Sequence, residues 1–172
     1  MAGIGLFYEP QWGLGSEMRA LDKIDLKILD VLQENGRASI TEVAERVGLS
    51  ATPIADRVRR LERDGVITGY HARINPHALG LKLLVFVEIK LSVKSGDVFE
   101  KAKRQLQFIP EVLECHLVSG DFDYLVKARI GEMSEYRQLL GDILKKLPAS
   151  AESRSYVVME EVKETLSLPI GR

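Results

Sequence analysis

The chain has 172 residues, 45% of them apolar, and its 24 Lys and Arg against 25 Asp and Glu leave a formal charge of −1, room for one mid-sized domain or two small ones. The longest strongly apolar stretch, Leu83 to Val87, is far short of a membrane span, and the N-terminus lacks the basic head and long apolar run of a secretion signal. A single cysteine, Cys115, excludes an internal disulfide and a multi-cysteine zinc site, so the expectation is a cytoplasmic protein with no membrane partner.

Residues 1–18 carry four glycines, a proline and scattered aromatics without sustained period, which predicts a flexible arm; Met18 is an alternative start. Phe7, Tyr8 and Trp12 are candidates for packing on a neighbouring subunit. Helical periodicity begins after the arm. Ile24, Ile28, Val31 and Leu32 form an apolar stripe that Asp22 can cap and Asn35-Gly36 can end. Ile40, Val43, Ala44 and Val47 repeat the stripe, with Ser39 and Glu42 spaced as a capping box and Gly48 as the stop. The third stripe, Ile54, Val58 and Leu61, follows Ser50 or Thr52 as cap and Pro53 in the first turn, where a missing N–H leaves no bond unmade; Gly65 ends it.

Two short helices broken at Val47-Gly48-Leu49 are a helix-turn-helix, whose second helix enters the major groove. Thr52, Arg59, Arg60 and Arg63 suit the polar front of that helix; Arg57 falls on the flank of the buried stripe, as a structural or phosphate-contacting arginine. Asp56 needs an adjacent arginine, or a cytosine amine, to sit near a phosphate backbone. From Arg19 to Tyr70 there are nine basic and nine acidic side chains, so one neutral copy gains little from counterion release and several copies are needed on one DNA.

Tyr70 to Ile74 reads as a wing strand, and Asn75-Pro76 breaks it, making 69–80 a hinge. Leu83 to Leu91 is a strand with Leu83, Val85, Val87, Ile89 and Leu91 on one face and Leu84, Phe86, Glu88 and Lys90 on the other. Phe99, Ala102, Leu106 and Ile109 mark a helix. Val112 to Ser119 and Tyr124 to Ile130 are strands joined by the turn signal Gly120-Asp121-Phe122-Asp123. Tyr136, Leu139, Leu140, Ile143, Leu144 and Leu147 mark the clearest helix, capped by Ser134, and Ser155 to Val162 closes the pattern as a fourth strand. The order βαββαβ is ferredoxin-like, so the chain is α+β overall. Either parity of the first strand leaves apolar side chains on the sheet face away from the helices, which predicts sheet-to-sheet dimerisation and a two-fold-symmetric DNA site.

The run Ser50-Ala51-Thr52-Pro53, Arg57-Val58, Leu61-Glu62, Gly65, Ile67 and Tyr70, with LLVFVEI at 83–89, ECHLVSGDFDYL at 114–125 and YVVMEEVK at 156–163, closely resembles the Lrp/AsnC family of bacterial and archaeal transcription regulators. The resemblance spans about residues 20–165, and Ala51 departs from it where a close relative has proline. It implies a helix-turn-helix domain at 19–68, the hinge at 69–80, an effector-binding and oligomerisation (RAM-type) domain at 81–165 and a tail at 166–172. It implies double-stranded DNA as partner, read by Ser50, Thr52, Pro53, Arg57, Arg59, Arg60 and Arg63, and dimers associating into octamers. It also implies an amino-acid effector, leucine first, held by Gly120, Asp121, Phe122, Asp123, Tyr124, Met133, Tyr156, Val157 and Val158, with no other cofactor and no metal. A zwitterion needs N–H groups for its carboxylate, an acceptor such as Asp123 for its ammonium, and apolar contacts for a branched side chain.

Enzyme readings fare poorly. Cys115 and His116 are adjacent on a strand and point to opposite faces, which prevents a thiolate–imidazole pair. His71 and His77 have no carboxylate or cysteine at ligand spacing, and the N-terminal glycines do not form a phosphate loop after a strand. The alternatives to a regulator are an amino-acid-sensing subunit without DNA binding and an effector-independent architectural DNA-binding protein.

Overall fold

The computed structural model describes residues 20–148 and 150–170. The arm and its aromatic residues Phe7, Tyr8 and Trp12 lie outside the described residues. Contacts divide the chain into two units: residues up to Ala72 together with the segment from Thr165 onward, and Arg73–Glu164.

The first unit is three helices, α1 (Lys23–Glu34), α2 (Ile40–Val47) and α3 (Ala51–Arg63), around one core. Ile28, Val31, Val43, Ala44, Ile54, Val58 and Leu61 are its buried residues, one stripe from each helix. The start signals act as spaced. Asp22 accepts from the amides of Ile24 and Asp25, and Asp25 reaches back to the Asp22 amide. Ser39 and Glu42 close a second capping box. Gly48 ends α2 at φ +85°, a left-handed conformation that a Cβ would strain. Near the other end of the chain, the Leu168 backbone joins this unit: its N–H donates to Gln33 Oε1 at 2.6 Å and its carbonyl accepts from Gln33 Nε2 at 3.2 Å.

Residues 70–74 form no strand, so the expected wing is not formed within this chain. A strand needs a neighbour to pair with, and no described segment of this chain lies alongside it in a ladder. Tyr70 is tied back by its hydroxyl, which donates to Glu62 on α3 at 3.0 Å. A single 3-10 turn, Pro76–Leu79, follows Asn75, whose side chain accepts from the His77 amide.

The second unit is β1 (Leu83–Leu91), α4 (Gly96–Leu106), β2 (Val112–Leu117), β3 (Tyr124–Ile130), α5 (Met133–Lys146) and β4 (Ala151–Val157). Its sheet is antiparallel in the order β2-β3-β1-β4, the ferredoxin-like arrangement expected from the element order. Val85, Val87, Ile89 and Leu91 of β1, Val126 and Ala128 of β3 and the stripes of both helices make the core. Three boundaries differ from expectation, the first being that of β2, which ends at Leu117 and not at Ser119. Helix α5 is preceded by Glu132 as N-cap, not Ser134; Glu135 reaches back to the Gly131 amide at 2.8 Å. Strand β4 runs from Ala151 to Val157 and not from Ser155 to Val162, with one further bond to β1 from the Val158 amide. Its sequence, AESRSYV, is polar because an edge strand needs only backbone bonds to β1 and shows most of its side chains to water.

The outer sheet face is less apolar than β1 alone predicts. Leu84 is buried and Phe86 and Leu125 are half-buried, but Lys127 bridges Glu114 and Glu164 and Arg129 pairs with Glu161. The tail from Val158 to Glu164 supplies two of those carboxylates. Exposed apolar side chains lie instead on β2, at Leu113 and Leu117, and on the tail, at Met159 and Val162.

Candidate DNA-binding and effector sites

Helix α3 follows a three-residue turn and presents two unlike faces. Ile54, Val58 and Leu61 are buried, while Thr52, Pro53, Asp56, Arg59 and Arg63 are exposed. Ser50 occupies the N-cap position, yet its hydroxyl makes no cap bond to the first amides of α3. Arg59 pairs with Asp56 and Arg63 with Asp64, each at 3.1 Å. Exposed pairs of this kind contribute at most about 1 kcal/mol and are readily exchanged for a phosphate or a base. Asp56 thus has an adjacent arginine that offsets its charge, one of the two partners expected for it.

Arg57 and Arg60 do something else. Arg57 Nη1 donates to Asp22 Oδ2 and to Asp25 Oδ1, both at 2.7 Å, and Arg60 Nη2 donates to the two Asp25 oxygens at 2.7 and 2.8 Å. Asp25 is 3% exposed, so this is a clamp between the N-terminus of α1 and the middle of α3. The placement of Arg60 on the polar front is corrected: it turns toward α1. The Asp25 amide, then Arg57, hold the Asp22 carboxyl below its ordinary range, and Asp22 and Asp25 raise the Arg57 guanidinium. Nothing in local spacing marks Asp25 as a partner for residues 32 and 35 positions away.

The residues expected to hold an effector fall into two groups. Gly120, Asp121, Phe122, Asp123 and Tyr124 form the β2–β3 turn and its exit, closed by the Val118 amide donating to the Asp123 carbonyl at 2.9 Å. Asp123 is buried and already engaged: Oδ2 accepts from the Leu91 amide and Oδ1 meets Lys94 Nζ, both at 2.8 Å. Burial pushes its pKa up, but Lys94 and the Leu91 amide outweigh that and hold it below 3.8. Tyr124 points into the core, where its hydroxyl donates to the Phe99 carbonyl at 2.9 Å, and burial pushes its pKa up to about 12. Both residues therefore shape the turn before any ligand arrives.

Met133, Tyr156, Val157 and Val158 belong to the other end of the sheet. Tyr124 is opposite Ile89, whereas Tyr156 is opposite Phe86, Val157 opposite Val85, and the Val158 amide donates to the Leu84 carbonyl. Met133 follows the end of β3, where Ile130 faces Leu83. Three residues along β1 and two strand spacings separate Tyr124 from Tyr156 by about 14 Å. A single copy does not gather the nine residues into one pocket. Met133, Tyr156 and Val157 are all more than a third exposed, and the Tyr156 hydroxyl donates to Glu88 at 3.1 Å.

Cys115 and His116 sit on opposite faces of β2, and burial raises the Cys115 thiol to about 11, far from a reactive thiolate. Among the described residues, no three His, Cys, Asp or Glu side chains are grouped so as to hold a metal ion, and no helix is long and apolar enough to cross a membrane.

Comparison with known proteins agrees with both halves. Residues 21–68 match the winged helix-turn-helix DNA-binding model, and residues 84–168 match the Lrp/AsnC ligand binding domain. The chain is 56% identical to the leucine-responsive regulatory protein of Escherichia coli strain K12 over 150 residues, 87% of this chain and 92% of that protein. A Neisseria meningitidis transcriptional regulator solved as a complex with L-methionine superposes with a TM-score of 0.82 at 37% identity, covering 87% of this chain and 97% of that one. The Mycobacterium tuberculosis feast or famine regulatory protein, also solved with L-methionine, gives 0.79 at 34% identity over 87% and 99% of the two chains.

Proposed function

Because the chain belongs to the Lrp/AsnC family of transcriptional regulators, and not to a family of enzymes, we propose that it is a cytoplasmic regulator whose assembly or DNA affinity answers to an amino acid, with leucine the first candidate. In this reading residues 19–68 bind double-stranded DNA, 69–80 are the hinge, 81–165 bind the effector and assemble the protein, and 166–172 are a tail. Ser50, Thr52, Arg59 and Arg63 make the contacts to DNA, Pro53 sets the helix start, and Arg57 and Arg60 fix the angle of α3.

The observation that carries the regulatory half is the separation of the effector residues. The turn at 120–124 and the group Met133, Tyr156, Val157 and Val158 lie at opposite ends of one sheet. A small amino acid can touch both sets only if one comes from a second copy. Binding then depends on assembly, and by linkage assembly depends on binding. Assembly also supplies the several reading heads that an electrically neutral DNA-binding unit needs. Dimers associating into octamers would satisfy both demands.

The test is a mobility-shift titration of the full chain with DNA from its own upstream region, with and without leucine, alongside light scattering. A leucine-dependent change in DNA affinity together with a change in mass is the expected result. Binding without a leucine response transfers the proposal to methionine or another apolar amino acid, since selectivity among them turns on about 1–3 kcal/mol per methylene. Absence of DNA binding overturns it.

A further inference from the structure

Arg129 is 6% exposed, and only half of its guanidinium is used. Nη2 donates to Glu161, whereas Nη1 is buried with no hydrogen-bond partner among the described residues. Position explains the burial: Arg129 faces Leu84 across the β1–β3 ladder, on the outer sheet face, under the tail segment that carries Glu161. A buried N–H without an acceptor is uncommon in a folded protein and calls for a ligand, an ion or water.

The same arginine lines a cleft of about 440 Å³ within the second unit. Arg73 and His77 of the hinge and Glu161, Lys163 and Glu164 of the tail line it with Arg129. Three fixed cations, Arg73, Arg129 and Lys163, outnumber the two carboxylates. Glu161 is held by Arg129, and Glu164 is shared between Arg73 at 3.4 Å and Lys127 at 3.5 Å. Positive charge is left over in an open, solvent-facing cleft with room for a small ion.

We infer that this cleft is a seat for a small oxyanion, a carboxylate or inorganic phosphate, that accepts from Arg129 Nη1 and draws on the charge of Lys163 and Arg73. A guanidinium suits that task because its fork can serve Glu161 with one nitrogen and a second acceptor with the other. The seat is separate from the effector residues, none of which lines it. Because Arg73 precedes the turn Pro76–Leu79 and His77 lies within it, an occupied seat would fasten that turn to the sheet.

The experiment titrates the full chain at constant ionic strength, with chloride as reference, against inorganic phosphate in one series and acetate in another, following calorimetric binding and the thermal midpoint. Saturable binding of phosphate, of acetate or of both is expected; a response to only one identifies the oxyanion geometry preferred. Lys163→Ala, a change at an exposed tail residue, should weaken it about tenfold, and Arg129→Lys should abolish it. Saturating leucine should leave it unchanged. Three results would overturn the inference: no binding up to 20 mM of either anion, equal binding in Lys163→Ala, or competition with leucine. If Arg129→Lys fails to fold, Lys163→Ala decides alone.

Discussion

Replacing Asp25 by alanine tests the clamp formed by Arg57 and Arg60 apart from the DNA contacts proposed for Arg59 and Arg63. Asp25 is 3% exposed and takes three hydrogen bonds from Arg57 and Arg60, besides closing the α1 capping box. Removing one partner of a fully buried ion pair costs about 3–5 kcal/mol. Here Arg57 keeps Asp22, and the side chains of Arg57 and Arg60 are 24% and 23% exposed, so water relieves part of the loss. A destabilisation of about 2–3 kcal/mol is therefore expected, including the lost half of the capping box. A unit of some fifty residues has about 3–7 kcal/mol in total, so the change takes a large part of its stability. Urea unfolding followed by far-ultraviolet circular dichroism should show the helical transition moving to lower denaturant while the sheet-bearing unit holds, and DNA binding should fall with the folded fraction. A shift worth less than about 0.5 kcal/mol, the range of ordinary surface substitutions, would refute the clamp. Arg63→Ala supplies the contrast: unchanged stability with weaker DNA binding.

Arg59→Ala should weaken operator binding by about 1–3 kcal/mol if it contacts a base, with the unfolding midpoint unmoved; a mobility shift indistinguishable from wild type would remove it from the interface. Asp123 has a folded pKa below its unfolded value of 3.8, so its contribution is present above about pH 4 and lost as pH falls through the folded value. Acid unfolding of Asp123→Asn should accordingly be shallower than that of wild type below pH 4, and the variant should also lose its leucine response because the 120–124 turn is no longer held by Lys94. Cys115, with a thiol near 11, should react with a disulfide reagent at pH 8 on the order of a thousandfold more slowly than a fully ionised thiol, and faster once urea unfolds the second unit.

Much of this architecture is local, and local features are legible in a chain read residue by residue. The three apolar stripes, the Ser39–Glu42 capping box, the Asp22 cap and Gly48 specify the helix-turn-helix because each acts within one or two turns of itself; the return bond from Asp25 that makes the first cap a box is seen only in the structure. The alternation in β1 and the turn after β2 specify the second unit for the same reason. Where partners are distant, the same reading stops. Arg60 looks like a front-face arginine on a helical projection, and only the approach of Asp25 from α1 turns it inward. The strand expected at Ser155 to Val162 begins earlier, at Ala151, in polar sequence, and ends at Val157, because an edge strand is chosen by the neighbour it pairs with and not by its own hydrophobicity. Residues 70–74 have strand composition and no strand, for want of that neighbour. The residues expected to hold an effector do not come together in one copy, because register along β1 places the 120–124 turn and Tyr156–Val157 at different ends of the sheet. Sequence by itself determined which segments fold and what chemistry they carry. Tertiary structure alone decided which charges meet, because charge and hydrogen-bond pairing depend on distances between segments that spacing along the chain does not encode.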